Sequence, residues 1–116
     1  MADKSTIESI RRYLTALIER GIEPAFGVLF GSQVRGNTHK WSDIDLVVVA
    51  SLFDETDEYE PRATLWHVAG HIDCRIEPIA CGLKQWEEDD GTPILEVARR
   101  EGVRVEVDSI DYPIRK

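Results

Sequence analysis

From Ile7 to Ile18 apolar residues return every three or four positions: Ile7, Ile10, Tyr13, Leu14, Leu17 and Ile18. That spacing predicts an amphipathic helix over residues 5–20. Ser5, with Glu8 three residues on, reads as a capping box at its start, and Gly21 as its stop. The pattern then changes. Residues 25–30 are mostly apolar and predict a buried strand. Residues 31–42 are polar, contain two glycines, and predict a turn and a short helical loop. A second strand is expected over 44–50, where Leu46-Val47-Val48-Val49 implies burial on both faces.

Beyond it, 51–60 reads as an acidic loop, and 62–69 as a helix carrying Leu65, Trp66 and Val68. Residues 72–79 read as a third strand, with Pro78 indicating an edge position or a strand end. Residues 83–86 suggest one helical turn. A last helix is expected over 93–101, with Thr92 as cap, Pro93 in its first turn and Gly102 as stop. Residues 103–107 close as a short strand, and 108–116 read as a loose tail. The expected class is therefore α+β, in the order α-β-β-α-β-α-β, with helices packed on one small mixed sheet.

The chain has 116 residues, which suits one domain over 1–116 with a core at about 5–107. No apolar run is long enough to span a bilayer, and Met1–Ser5 lacks the apolar stretch of a signal peptide. No membrane partner and a cytoplasmic location are the expectation. The formal charge is −8, with acidic runs at Asp54–Glu58 and Glu87–Asp90. That balance argues against a long nucleic acid as main ligand and leaves room for a compact anion offset locally by cation or metal. Cys74 and Cys81 form neither a zinc pattern nor a redox pair, and are expected to be reduced and inert.

The chemistry concentrates between residues 30 and 46. Asp43 and Asp45 stand two apart at the entrance to a strand, so both project to one face. Two close carboxylates repel unless a cation lies between them, and hard oxygen donors on one face suit Mg²⁺. Gly31-Ser32 follows directly on the preceding apolar strand. A glycine there lets the backbone approach a phosphate, the Ser32 hydroxyl adds a hydrogen bond, and Arg35 and Lys40 bring positive charge. Together they make a phosphate cradle ending one strand and a metal-binding pair opening the next, the minimum for metal-assisted transfer from a nucleoside triphosphate.

Gly31-Ser32, Arg35-Gly36 and Ser42-Asp43-Ile44-Asp45-Leu46 resemble the signature of the polymerase-beta-type nucleotidyltransferase superfamily, and more narrowly its minimal nucleotidyltransferase (MNT) proteins. The resemblance implies the nucleotidyltransferase fold, Gly31, Ser32 and Arg35 at the triphosphate, and Asp43 and Asp45 on Mg²⁺ or Mn²⁺. It also implies a third carboxylate on a later strand. Strand parity puts Asp73 and Glu77 on one face and does not choose between them. The distance to the turn at 82–86 resembles the family more for Glu77, with Asp73 as the alternative. One departure stands out: position 33, often basic in relatives, is Gln33, which is expected to weaken triphosphate binding. The resemblance further implies AMP transfer from ATP to an acceptor hydroxyl, or an antitoxin that neutralises a HEPN-type partner without turnover. Acceptor, base preference and oligomeric state are not legible, and a homo-oligomer stays open.

Other motifs are set aside. Gly31-x4-Gly36-Asn37-Thr38 lacks the lysine of a P-loop and leaves no room for its crossover helix. His67 and His71 share a helix face but lack a further zinc ligand, so they read as surface histidines. Trp41, Trp66 and Trp86 read first as packing residues, with Trp41 beside the motif a candidate for ligand contact.

Overall fold

In the computed structural model, residues 3–35, 42–89 and 91–107 are described, and of Ser32 and Arg35 the backbone alone. The first helix, α1 (Lys4–Glu19), starts earlier than Ser5 implies, because Asp3 takes the cap. Its carboxylate accepts from the Ser5 amide at 3.4 Å and from Ser5 Oγ at 2.9 Å. A carboxylate suits the positive end of a helix better than a hydroxyl does. At the other end Gly21 is the stop that the sequence suggests. Its φ of +88° lets its N–H donate to Ile18 O while Ile22 N–H donates to Leu17 O.

Four strands follow: β1 (Phe26–Phe30), β2 (Ile44–Val49), β3 (Ile76–Cys81) and β4 (Val103–Val105), in the sheet order β3-β2-β1-β4. β1 runs antiparallel to β2 and to β4, whereas β3 runs parallel to β2. The mixed α+β class expected from the pattern is what forms. β1 and β2 are central and bury both faces, which explains their near-continuous apolar runs. Leu46 and Val48 pack with Ile10, Tyr13, Leu14, Leu17, Leu65 and Val68 in one core layer. Val47 and Val49 pack with Phe26, Val28, Phe30, Leu95 and Ala98 in the other. Tyr13 Oη donates to Leu65 O at 2.9 Å, a buried tie between α1 and the helix that carries Leu65.

Further boundaries differ from the sequence reading. The acidic stretch 51–60 is not all loop: Leu52–Glu55 form a short helix, α3, anchored by buried Phe53. The next helix, α4 (Tyr59–Ile72), runs past both ends of the expected 62–69. Pro61 lies in its first turn, where an amide has no intrahelical partner to lose. Because α4 reaches Ile72, β3 begins at Ile76 rather than Ile72. Between them Asp73 makes a turn, its Oδ1 accepting the Arg75 amide at 3.1 Å. Pro78 lies inside β3, at the sheet edge as its missing N–H requires.

The helix expected at 83–86 is longer, α5 (Leu83–Glu88), whereas α6 (Pro93–Glu101) matches its expected bounds. The Thr92 hydroxyl does not cap α6; it donates to Asp89 Oδ2 at 2.6 Å. The tail at 108–116 lies outside the described residues, as do Gly36, Lys40, Trp41 and Asp90.

Candidate active site

β1 ends at Phe30, and the chain turns at Gly31 with φ +80° into a one-turn helix, α2 (Ser32–Arg35). A positive φ favours glycine, and a second demand excludes anything larger. A Cβ on Gly31 would stand 2.5 Å from Asp45 Oδ2. The turn after β1 is therefore pressed directly against the second aspartate of β2. This joins the two halves of the motif, which are fourteen positions apart in sequence. The side chains of Ser32 and Arg35, both expected at the triphosphate, lie outside the described residues.

Asp43 is exposed just ahead of β2, and Asp45 is half-buried within it. In the sheet register Asp45 faces Phe30 on one neighbour and Glu77 on the other. Pairing in register sets Asp45 and Glu77 side by side on one face. That face also carries Val47, Val49 and Ile79, on the side of the sheet that packs with α6. A side-chain hydrogen bond with Asp43, burial, and the negative charge of Asp43 and Asp45 push the pKa of Glu77 up.

Asp73 behaves in the opposite way. It terminates α4 and is not on the strand, so the parity that placed it beside Glu77 does not apply. Its carboxylate accepts from Arg75 Nε at 3.0 Å and from the terminal nitrogen at 2.8 Å. The Arg75 guanidinium holds it below the usual carboxylate range. Of the two candidates, Glu77 joins the aspartates, and Asp73 is committed to a cation of the fold.

Gln33, expected to weaken triphosphate binding, also has a structural role. It is 4% exposed, faces inward and lies beneath the entrance to β2. Its Nε2 donates to Ser42 O and Asp43 O, each at 3.3 Å, and its Oε1 accepts from Thr6 Oγ1 at 3.4 Å. One amide thus ties α1, α2 and the first aspartate together. Only a group with both a donor and an acceptor does this, and a lysine has no acceptor. The motif gave no sign of it, since its partners are backbone carbonyls and a threonine far away in sequence.

Among the described residues no three carboxylate, histidine or cysteine groups stand in a ready-made ligand array. The acids nonetheless fit a hard divalent ion. All the donors are oxygens, and the negative charge that Asp43, Asp45 and Glu77 bring together pushes the Glu77 pKa up, which a hard cation would relieve.

Elsewhere the cysteines are unpaired with each other, as expected; burial pushes the Cys81 thiol up to about 11. Trp86 packs edge-on to Phe26 at 6.0 Å, under the Arg99 guanidinium. Among the described residues no helix is long and apolar enough to cross a membrane.

A family model of the nucleotidyltransferase domain matches residues 10–92, which include both halves of the motif and Glu77. No match is found among curated proteins. Several solved structures share the fold. A toxin–antitoxin complex with AMP-PNP is 21% identical, with a TM-score of 0.56, over 87% of this chain and 76% of that one. A mutant of the toxin–antitoxin pair MntA–HpeT is 19% identical, with a TM-score of 0.55, over the same 87% and 76%. A protein from Sulfolobus solfataricus assigned as a nucleotidyltransferase is 21% identical, with a TM-score of 0.50, over 88% and 86%. Likeness at that identity speaks to the fold, and the sequence match over most of the chain speaks to the family: this chain belongs to the nucleotidyltransferase domain family.

Proposed function

We propose that the chain transfers AMP from ATP to a hydroxyl group carried by a partner protein. The observation that supports this most is the meeting of the Gly31 turn, Asp45 and Glu77 at one end of the sheet. In this reading Gly31, Ser32 and Arg35 hold the triphosphate, and Asp43, Asp45 and Glu77 hold Mg²⁺ or Mn²⁺. When bound, the ion offsets the negative charge of the phosphates and of the departing pyrophosphate. Gln33 fixes the Asp43 backbone. The Glu77 carboxylate receives the proton of the acceptor hydroxyl. The acceptor oxygen bonds to the α-phosphorus, the bond from that phosphorus to the bridging oxygen breaks, and pyrophosphate leaves. The cytoplasm, with its ATP and Mg²⁺, is the compartment that suits this reaction.

A second reading is an antitoxin that binds and neutralises a HEPN-type toxin without turnover. It is favoured by exposed aromatic surface on α4, where Tyr59 is 81% and Trp66 55% exposed, beside acids suited to a basic partner. The test is incubation of the chain with α-labelled ATP, Mg²⁺ and the product of the neighbouring gene. Label on the partner supports transfer. A stable unlabelled complex, unchanged by Asp43→Asn with Asp45→Asn, supports neutralisation by binding. Neither label, nor complex, nor a Mg-ATP thermal shift would overturn both.

A further inference from the structure

We propose that His67 and His71 form a second metal site, separate from the carboxylates, for a borderline transition ion such as Zn²⁺ or Ni²⁺. The two residues are four apart on α4, so their side chains lie one above the other on one face. Two imidazoles sharing one ion at a metal–nitrogen distance of about 2.1 Å have ring centres roughly 4.5–5 Å apart. Those of His67 and His71 are 4.7 Å apart, tilted at 52°.

The backbone also sets the tautomer of one ring. His71 Nδ1 stands 2.9 Å from His67 O. A carbonyl only accepts, so Nδ1 carries the proton and Nε2 keeps its lone pair. A ring nitrogen that donates to a backbone carbonyl while the other ligates is the usual support of a metal-bound histidine. Access is open: both histidines are exposed, and nothing lies within 4 Å of where a Cβ on Gly70 would be. The pair also occupies the C-terminal part of α4, with His71 in the last turn, where the helix dipole favours a cation.

Donor chemistry separates the two sites. Imidazole nitrogen suits Zn²⁺, Ni²⁺ and Cu²⁺, whereas carboxylate oxygen suits Mg²⁺ and Mn²⁺. Among the described residues no third histidine, cysteine or carboxylate completes a group with the pair. Positions that the two imidazoles leave go to water or to an incoming group. The sequence alone sets the pair aside for want of a further zinc ligand; an open site asks for fewer protein donors than the closed four-ligand site of a structural zinc.

The test is calorimetric titration of the full chain, without a histidine tag, with ZnCl₂ and with NiCl₂ in excess Mg²⁺. One ion should bind per chain. Affinity should fall about tenfold or more in His67→Ala and in His71→Ala. It should be unchanged in His39→Ala and in the Asp43→Asn, Asp45→Asn double variant. Both histidine variants are exposed and are checked for folding by their melting temperatures. Wild-type affinity in either of them, no binding to the wild type, or loss of binding in the aspartate variant would overturn the proposal.

Discussion

Where β2 leaves the sheet, Asp54 is fully employed. Its carboxylate accepts the Lys84 amide at 2.9 Å and the Gln85 amide at 3.2 Å, capping α5 from another element. It sits so close to Gly82 that a Cβ there has no room. Where β2 enters, the arrangement looks alike: an aspartate, Asp45, pressed against a glycine, Gly31, at a strand end. The partners differ. At the exit the negative charge meets the positive end of a helix, and the result is structural. At the entrance a carboxyl is hydrogen-bonded to another carboxyl, and the pKa of Glu77 rises. Acid packed on glycine is common to both ends; the exit spends its acid on backbone amides, and the entrance gathers three acids together.

The largest effect should separate the two ends by activity. Asp43→Asn or Asp45→Asn should lower transfer by roughly a thousandfold, the equivalent of about 4 kcal/mol of transition-state stabilisation. Asp54→Asn should leave transfer intact and cost about 1 kcal/mol of stability, as loss of a helix cap does. Initial rates and denaturant melts on the same samples check both. Equal loss of activity in the two would break the distinction.

Next come the glycines. Gly31→Ala and Gly82→Ala should each destabilise the fold by about 1–3 kcal/mol, through strain and crowding. Only Gly31→Ala should also abolish the Mg-ATP thermal shift, because its methyl displaces the Asp45 carboxylate. Gln33→Leu keeps the volume but removes the brace, which should cost about 1–3 kcal/mol. It should lower kcat about tenfold with little change in KM, since the brace positions Asp43 and does not touch the nucleotide.

The smallest effect is a pH dependence of opposite sign at two acids four residues apart. Asp73 has a lowered pKa, so its contribution to stability is present above the ordinary carboxylate range and is lost as pH falls through the lowered value. Glu77 has a raised pKa, so its contribution is present in acid and is lost as pH rises through the raised value. In a chelating buffer at neutral pH, Asp73→Asn should therefore lower the melting temperature and Glu77→Gln should raise it. Both differences should shrink in acid, which melting curves from pH 7 down to about pH 3 would show.

Much of this was legible because it rests on short-range rules. The periodicity of α1, the apolar runs of β1 and β2, and the Thr92, Pro93 and Gly102 punctuation of α6 each carry their own signal. The motif was legible because turn, spacing and acids fall within one stretch of chain. The choice between Asp73 and Glu77 was not legible in periodicity, and the resemblance alone favoured Glu77. Ile72, Cys74 and Ile76 alternate with polar residues as a strand does, and that alternation runs back into the end of α4. An aspartate turn, and not periodicity, decides where β3 begins. Asp3 as the cap of α1 and Asp54 as the cap of α5 were hidden for a related reason. A carboxylate is the stronger acceptor, and in the second case it arrives from a helix thirty residues upstream.

The buried amide of Gln33 has a practical corollary. Thr6, in the opening turns of α1, is two hydrogen bonds from the carbonyl of Asp43. Anything fused to the front of α1 pulls on a lever whose far end is the strand that carries the paired aspartates, so the handle chosen for purification becomes a variable in the assay.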